Sequence, residues 1–313
     1  KTDDPAEALA RCLNDTGRVD LSIIGQITGL SEDEIILQLD KQILLNPQTL
    51  AWETTDNYLS GNVVQKLKIA GKLAAEETQN LQFARSLAAI HRVQPERIPF
   101  ERLDFNLGER WVPVEYYQRF AADLFKLDTR VDFYGSVDTY KVSYAKKGNT
   151  ITNEEFSVTP KESNKITGRT LLEYALLNTT PHFTYPVEQY GKVVRVPDTE
   201  AIQNAHRKID NIRARYLLWL LELPNQDKQY LEKLYNDTYN CYALREYDGS
   251  HLTFPGLDLE ALKIPSLFSS QRNAAWRIMQ NNGGLIDHEV GLGKTLTMII
   301  AAMEMKRLGI VHK

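Results

Sequence analysis

Gly284-Leu285-Ile286-Asp287-His288-Glu289-Val290-Gly291-Leu292-Gly293-Lys294-Thr295 carries the strongest chemical signal in the chain. Gly291 and Gly293 leave room for backbone N–H groups to crowd around phosphate oxygens. A helix opening at Lys294 or Thr295 would point its N-terminal dipole at that anion. Within such a loop Lys294 reaches the β- and γ-phosphates of a nucleotide, and the Thr295 hydroxyl ligates Mg²⁺. Gly284-Leu285-Ile286 reads as a short buried strand, and Thr297-Met298-Ile299-Ile300-Ala301-Ala302-Met303 reads as a mostly apolar helix. Strand, loop and helix in that order predict the start of an α/β motor domain. The general pattern G-x-x-x-x-G-K-[ST] asks for Gly where this chain has His288. The competing reading is a Gly-rich turn capping an ordinary core helix, and the coincidence of three elements weighs against it.

Upstream, Phe268-Ser269-Ser270-Gln271-Arg272 leads into an amphipathic stretch from Asn273 to Asn281 that carries Ala275, Trp276 and Met279. Gln271 lies 23 residues before Lys294. Its amide offers the donor and acceptor that an adenine edge requires. The candidate ATP site is therefore Gly291, Leu292, Gly293, Lys294, Thr295 and Gln271.

Gln271 followed by His288-Glu289-Val290-Gly-Leu-Gly-Lys-Thr resembles the start of a superfamily-two helicase motor, of the Swi/Snf and DEAD-box kind. The chain is similar over most of its length to large N6-adenine DNA methylase–helicase proteins of phages and mobile elements. The likeness is carried by Trp52-Glu53-Thr54, Tyr58-Leu59-Ser60-Gly61-Asn62-Val63, Trp111-Val112-Pro113, Tyr247-Asp248-Gly249-Ser250-His251-Leu252 and Ala301-Ala302-Met303-Glu304-Met305-Lys306-Arg307-Leu308-Gly309. Two departures are Leu292 for the commoner Ala, and Asp287 where that family usually has a small residue. In those proteins a methylase part precedes this region and the helicase motor follows it. The resemblance implies that the chain is a connecting region plus the first helicase motif of an ATP-dependent DNA helicase or translocase. It implies ATP and Mg²⁺ at the loop, and DNA as a partner. It also implies upstream methylase and downstream motor domains of the same polypeptide. S-adenosylmethionine belongs only to the methylase part.

A complete motor needs an acidic pair on a later strand to hold Mg²⁺, and an arginine finger to stabilise the transition state. The few residues after Thr295 do not supply them, so the chain by itself is expected to be inactive in ATP hydrolysis. A lone strand at Leu285 lacks parallel neighbours. The C-terminal segment is expected to be held by the preceding domain or disordered. An amino-methylase loop of the form [Asp/Asn]-Pro-Pro-[Tyr/Phe] is absent, since Asn46-Pro47-Gln48-Thr49 is a turn.

Composition narrows the classes further. With 37 Lys and Arg against 41 Asp and Glu, the chain is mildly acidic, which argues against gripping nucleic acid over its whole surface. Cys12 and Cys241 are too few for a disulfide framework or a zinc cluster. No signal peptide and no long apolar run is visible, so a cytoplasmic protein with no membrane partner is expected. The opening Lys1-Thr2-Asp3 lacks Met, as in an excised piece.

Along the chain the expected architecture is mixed α+β and helix-rich, in three parts. Residues 1–60 read as a winged-helix-like module: helices at Ala6–Asn14 and Leu21–Ile27, a third opened by the capping box Ser31-Glu32-Asp33-Glu34, then a hairpin around Asn46-Pro47. The third helix starts with three carboxylates, which favours a protein-contact or structural role over major-groove reading. Residues 61–260 form a connecting region of helices and small antiparallel sheet. Its helices are expected at Val63–Glu77, Leu81–His91, Glu115–Phe125 and Asp198–Leu223, with alternating strands over 130–160 turning at Gly148-Asn149. The densest basic cluster, Arg207, Lys208, Arg213 and Arg215, offers a weak DNA-backbone site or a solvated helix face. Asp237, Asp248 and His251 match no metal-ligand spacing and read as Asx-turns, so no metal site beyond Thr295 is expected. Pro255-Gly256 reads as a linker into residues 261–313, the truncated start of the helicase ATPase. The alternative to a helicase piece is a non-catalytic DNA- or protein-interaction linker that binds no nucleotide of its own.

Overall fold

A computed structural model of the protein describes residues 2–144 and 155–312. The expected turn at Gly148-Asn149 lies outside the described residues. The fold is helix-rich mixed α and β, and each sheet among the described residues is an antiparallel pair of strands. Contacts group the chain into two compact units, one of Lys1–Glu96 with Tyr239–Lys313 and one of Arg97–Thr238. This grouping differs from the linear division at 60 and 260, because it joins the first and last segments in one unit. Sequence patterns report neighbours along the chain and are blind to such a closure.

The first unit opens with α1 (Pro5–Thr16), α2 (Leu21–Thr28) and α3 (Glu32–Gln38), followed by β1 (Ile43–Leu45) paired with β2 (Trp52–Thr54). Local chemistry sets each boundary. The Asp4 carboxylate accepts from the Ala6 N–H, Pro5 sits in the first turn, and Gly17 ends α1 at φ 73°. Asp20 caps α2 in the same way. The hairpin turn is closed by the Asn46 side chain accepting from the Gln48 N–H at 3.0 Å. Three helices and a hairpin appear in the order the sequence predicts. Beyond them come α4 (Thr55–Tyr58), β3 (Gly61–Asn62), α5 (Val63–Glu76) and α6 (Leu81–Arg92).

The second unit contains α7 (Val114–Phe125), β4 (Thr129–Tyr134), β5 (Thr139–Tyr144), α8 (Gly168–Leu176), β6 (Thr184–Gln189), β7 (Lys192–Pro197), α9 (Thr199–Leu221) and α10 (Asn225–Thr238). Its core is aromatic: Tyr117, Phe120, Phe125, Tyr140, Phe156 and Tyr216 are fully buried. The rings meet edge-on, Tyr117 with Tyr140 at 5.8 Å and Phe120 with Tyr216 at 5.2 Å. Gly108 has φ 93°, and a Cβ there would lie 1.8 Å from the Leu176 carbonyl oxygen, so no other residue fits.

The chain then supplies the rest of the first unit: β8 (Tyr242–Ala243), which pairs with β3, then α11 (Ser269–Asn281) and α12 (Lys294–Arg307). One core holds α1, α11 and α12 together, with Leu9, Cys12 and Leu13 packed among Trp276, Met279, Ile300 and Met305. Polar ties reinforce it. Arg307 donates to the Asn14 carbonyl at 2.5 Å and to the Glu304 carboxylate at 2.6 Å, and the Gln280 amide donates to the Gly17 carbonyl at 2.9 Å. The C-terminal segment is thus held by the winged-helix-like module. Pro255-Gly256 is not a free linker, since Leu252 and Phe254 beside it are buried in that same core.

The expected strand at Gly284-Leu285-Ile286 does not form, and Leu285 is 85% exposed. A strand exists only where another strand satisfies its N–H and C=O groups. Among the described residues every paired strand is matched elsewhere. No helix among them is long and apolar enough to cross a membrane. Cys12 and Cys241 are both buried, and neither is in a disulfide.

Candidate functional site

Two elements of the first unit build the site: the start of α11 and the turn that leads into α12. Gly293 caps α12 at φ 68° and ψ 37°, and no side chain bonds to that end. The first intrahelical bond runs from the Thr297 N–H to the Gly293 carbonyl at 3.0 Å. The amides of Lys294, Thr295 and Leu296 therefore have no carbonyl of their own helix to meet. Gly291, at φ 93°, and Gly293 adopt left-handed backbone that an L side chain resists. His288 is not among the positive-φ residues. The backbone there does not need glycine, so a histidine is accommodated at that position of the motif.

Lys294 occupies the first position of α12, where a cation opposes the helix dipole. Its ammonium turns back and donates to the carbonyls of His288 at 2.7 Å and Glu289 at 3.1 Å, closing the loop. Thr295 is exposed on the same turn, whereas Thr297 is buried and donates to the Gly293 carbonyl at 3.2 Å. Of the two threonines, only Thr295 is exposed. Leu292 is exposed at the loop tip.

Gln271 comes to the loop. Its Nε2 donates to the Leu292 carbonyl at 3.4 Å, and its Oε1 accepts from the Phe268 N–H at 3.0 Å. A Cβ on Gly293 would lie 2.6 Å from that Nε2. The two separated sequence signals thus meet in one place. α11 is in turn fixed from behind by the Tyr247–Leu252 turn. The Gly249 N–H donates to Asn273 Oδ1 at 2.9 Å, and a Cβ on Gly249 would meet the Arg272 carbonyl oxygen at 2.3 Å. The Asp248 carboxylate accepts from the Ser250 N–H at 2.9 Å, the Asx-turn expected of this segment. Beside it, burial holds the His251 imidazole below its usual pKa, and the ring stands edge-on to Trp276 at 4.5 Å. No three His, Cys, Asp or Glu residues among those described are arranged to hold a metal ion. The contact between Gly249 and Asn273 has no sequence signal, because the two residues lie 24 positions apart and form no motif together.

The basic residues of α9 are dispersed. Lys208 donates to the Ser157 carbonyl at 2.5 Å. Arg215 pairs with Glu155 at 2.6 Å and lies over the Phe156 ring. Arg213 bonds Asn178 at 2.8 Å and Asp210 at 3.2 Å, and Arg207 is exposed. At about 100° per residue, Lys208 and Arg215 share one face while Arg213 points elsewhere. Lys208, Arg213 and Arg215 are each bonded within the second unit, and they do not form one cationic stripe. Lys66 on α5 likewise turns inward, donating to the carbonyls of Tyr58 and Ser60 at 2.8 Å, and burial lowers its pKa.

Three family models match parts of the chain. Residues 1–53 match a domain described as "Probable helicase, winged helix domain", and residues 276–313 match one described as "Probable helicase domain". Residues 106–241 match a domain of unknown function (DUF8437). No curated protein and no solved structure matches the chain. Both helicase-described segments fall in the first unit, where α1 packs on α11 and α12. The chain is helicase-related at both of its ends, and those ends share one core.

Proposed function

We propose that the chain supplies the nucleotide-binding loop and an accessory region to a DNA-dependent ATPase of the helicase or translocase kind. The observation that carries this reading is the open start of α12. Its first amides meet no side chain, and a lysine sits at the positive end of the helix dipole. Both features are unfavourable in an ordinary helix and favourable around a polyanion. The residues suit a magnesium nucleotide. The amides of Gly293, Lys294 and Thr295 would face the phosphates, and the Lys294 ammonium would exchange loop carbonyls for phosphate oxygens. The Thr295 hydroxyl would offer one oxygen to Mg²⁺. When bound, the metal nucleotide supplies the phosphoryl chemistry, and the chain's own part is to grip and orient it.

DNA as a partner follows from the helicase-related segments. The resemblance to methylase–helicase proteins adds the reading that this ATPase acts alongside adenine-N6 methylation. In that assembly residues 1–60 support the loop indirectly, since α1 packs in one core with α11 and α12, the two helices that flank it.

The test is titration of the protein with magnesium ATP beside Lys294→Ala. Removing a charged donor is expected to weaken binding by about tenfold or more. Equal binding by the two proteins, or none by either, would leave the loop a structural turn in an interaction module.

A further inference from the structure

We infer that this loop selects ligands by their triphosphate and leaves the base unread, with Gln271 acting as a positioning residue that fixes the loop. The inference rests on the nucleotide reading above and names the substrate class of that site. A glutamine that reads adenine must present its amide edge where a base can lie beside it. Gln271 is 3% exposed, and both ends of its amide are engaged within the chain, Oε1 by the Phe268 N–H and Nε2 by the Leu292 carbonyl.

The same contacts give Gln271 another task. Through one rigid amide it joins the start of α11 to the residue before the α12 cap. Nε2 lies 2.6 Å from where a Cβ on Gly293 would stand. Gln271 and Gly293 therefore crowd one another, and the amide holds the Leu292 carbonyl while the N–H groups of the first turn of α12 are left for a ligand. Behind it, Gly249 and Asn273 lock α11 against the Tyr247–Leu252 turn. The path from that turn to the loop runs through a single side chain. The Thr297 hydroxyl donates to the Gly293 carbonyl from within α12, whereas the Gln271 amide reaches the Leu292 carbonyl from α11.

Base-independent binding follows from this geometry. Phosphate contacts from amides and Lys294 are common to every nucleoside triphosphate, and hydrogen-bond discrimination between bases requires a partner that Gln271 does not offer. ATP, GTP and inorganic tripolyphosphate, each with Mg²⁺, are the probes, titrated calorimetrically into the protein and into Gln271→Met, Gln271→Glu and Lys294→Ala. ATP and GTP are expected to bind within about threefold of each other. Gln271→Met keeps the side-chain length and removes the amide. Gln271→Glu keeps the acceptor for the Phe268 N–H and sets a carboxylate oxygen against the Leu292 carbonyl. Both are expected to weaken all three ligands by a similar factor of about three to ten. Because Gln271→Glu preserves the start of α11, its melting temperature should move less than its affinities.

The inference is overturned if a Gln271 variant loses ATP affinity while GTP and tripolyphosphate bind as before, since that is the signature of a base reader. It is also overturned if the affinities are untouched. Those outcomes leave the nucleotide reading standing wherever Lys294→Ala still weakens all three ligands. If Lys294→Ala changes none of them, the nucleotide reading itself fails and this inference falls with it.

Discussion

Two helices of the first unit, α3 and α12, open in opposite ways. At α3 the Ser31 hydroxyl accepts from the Glu34 N–H, and the Glu34 carboxylate accepts in return from the Ser31 N–H at 2.9 Å and from its hydroxyl at 2.7 Å. Glu32, Asp33 and Glu34 all lie in its first turn, matching the positive end of the dipole. At α12 a glycine stands in place of the capping side chain, no acid lies in the first turn, and a lysine comes first. The α3 end is spent on its own stability, and an incoming phosphate would meet three carboxylates there. The α12 end forgoes that stability and keeps its donors free. An anion has only one of these two helix ends to choose, and it is not the one that a winged helix commonly turns toward DNA.

Both ends hang on a common core, so the strongest way to break the comparison is to remove that core. Trp276 is buried between α1, α11 and α12. Trp276→Ala is expected to cost about 3–5 kcal/mol. If the first unit is one cooperative body, a probe in residues 1–53 and a probe on α12 should lose structure at the same denaturant concentration. Separate transitions would show that the two ends are independent and that the packing of α1 on α12 is weak.

A smaller change sharpens the contrast between two glycines that both require positive φ. Gly29, which ends α2 just before α3, has φ 85° and nothing within 4 Å of a built Cβ. Gly293 has φ 68° and Gln271 Nε2 at 2.6 Å. Gly29→Ala is expected to lose only the backbone strain of about 1–2 kcal/mol and to leave nucleotide affinity unchanged. Gly293→Ala adds displacement of the Gln271 amide, and magnesium ATP affinity should fall by about tenfold or more. Calorimetric titration of the two variants side by side decides the matter, and equal affinities would remove Gly293 from the site.

What was legible in the sequence follows the range of the forces involved. Caps and turns act over three or four residues, so Ser31 with Glu34 and the turn at Asn46-Pro47 could be read directly. Periodicity gave α5, α6, α7 and α9 close to their observed bounds. The motif gave the loop and α12. The strand at Leu285 was misread because a strand is a property of a pair, and the sequence shows only one member. The basic residues of α9 looked like one cluster because they are close in sequence, although Glu155, Ser157 and Asn178 claim three of them from separate places. The junction of α1 with α11 and α12 left no local trace, since it is made by ordinary apolar residues such as Leu9 and Met305. Gln271 stood out for its place in the sequence, and only its burial and its two partners revealed which way the amide faces.

The smallest effect tests the closed end alone. The Ser31 backbone and hydroxyl donors hold the Glu34 carboxyl below its ordinary value of 4.5. A carboxyl whose folded pKa lies below its unfolded one contributes stability above the unfolded value and loses it as pH falls through the folded one. The Glu34 contribution is therefore present at neutral pH and fades in acid below 4.5. Glu34 is solvent-exposed, so salt should weaken the effect as well. Glu34→Gln beside the native protein, compared by denaturant midpoint at about pH 7 and about pH 3, should show a difference at the first pH that closes at the second. Ser31→Ala removes the donor hydroxyl and should cost about 1 kcal/mol near neutrality, with a shallower acid dependence than the native protein. A Glu34→Gln difference of the same size at both pH values would mean that the box is held by its hydrogen-bond geometry alone. The contrast with α12 would then be one of shape, with charge playing no part in why one end is closed and the other open.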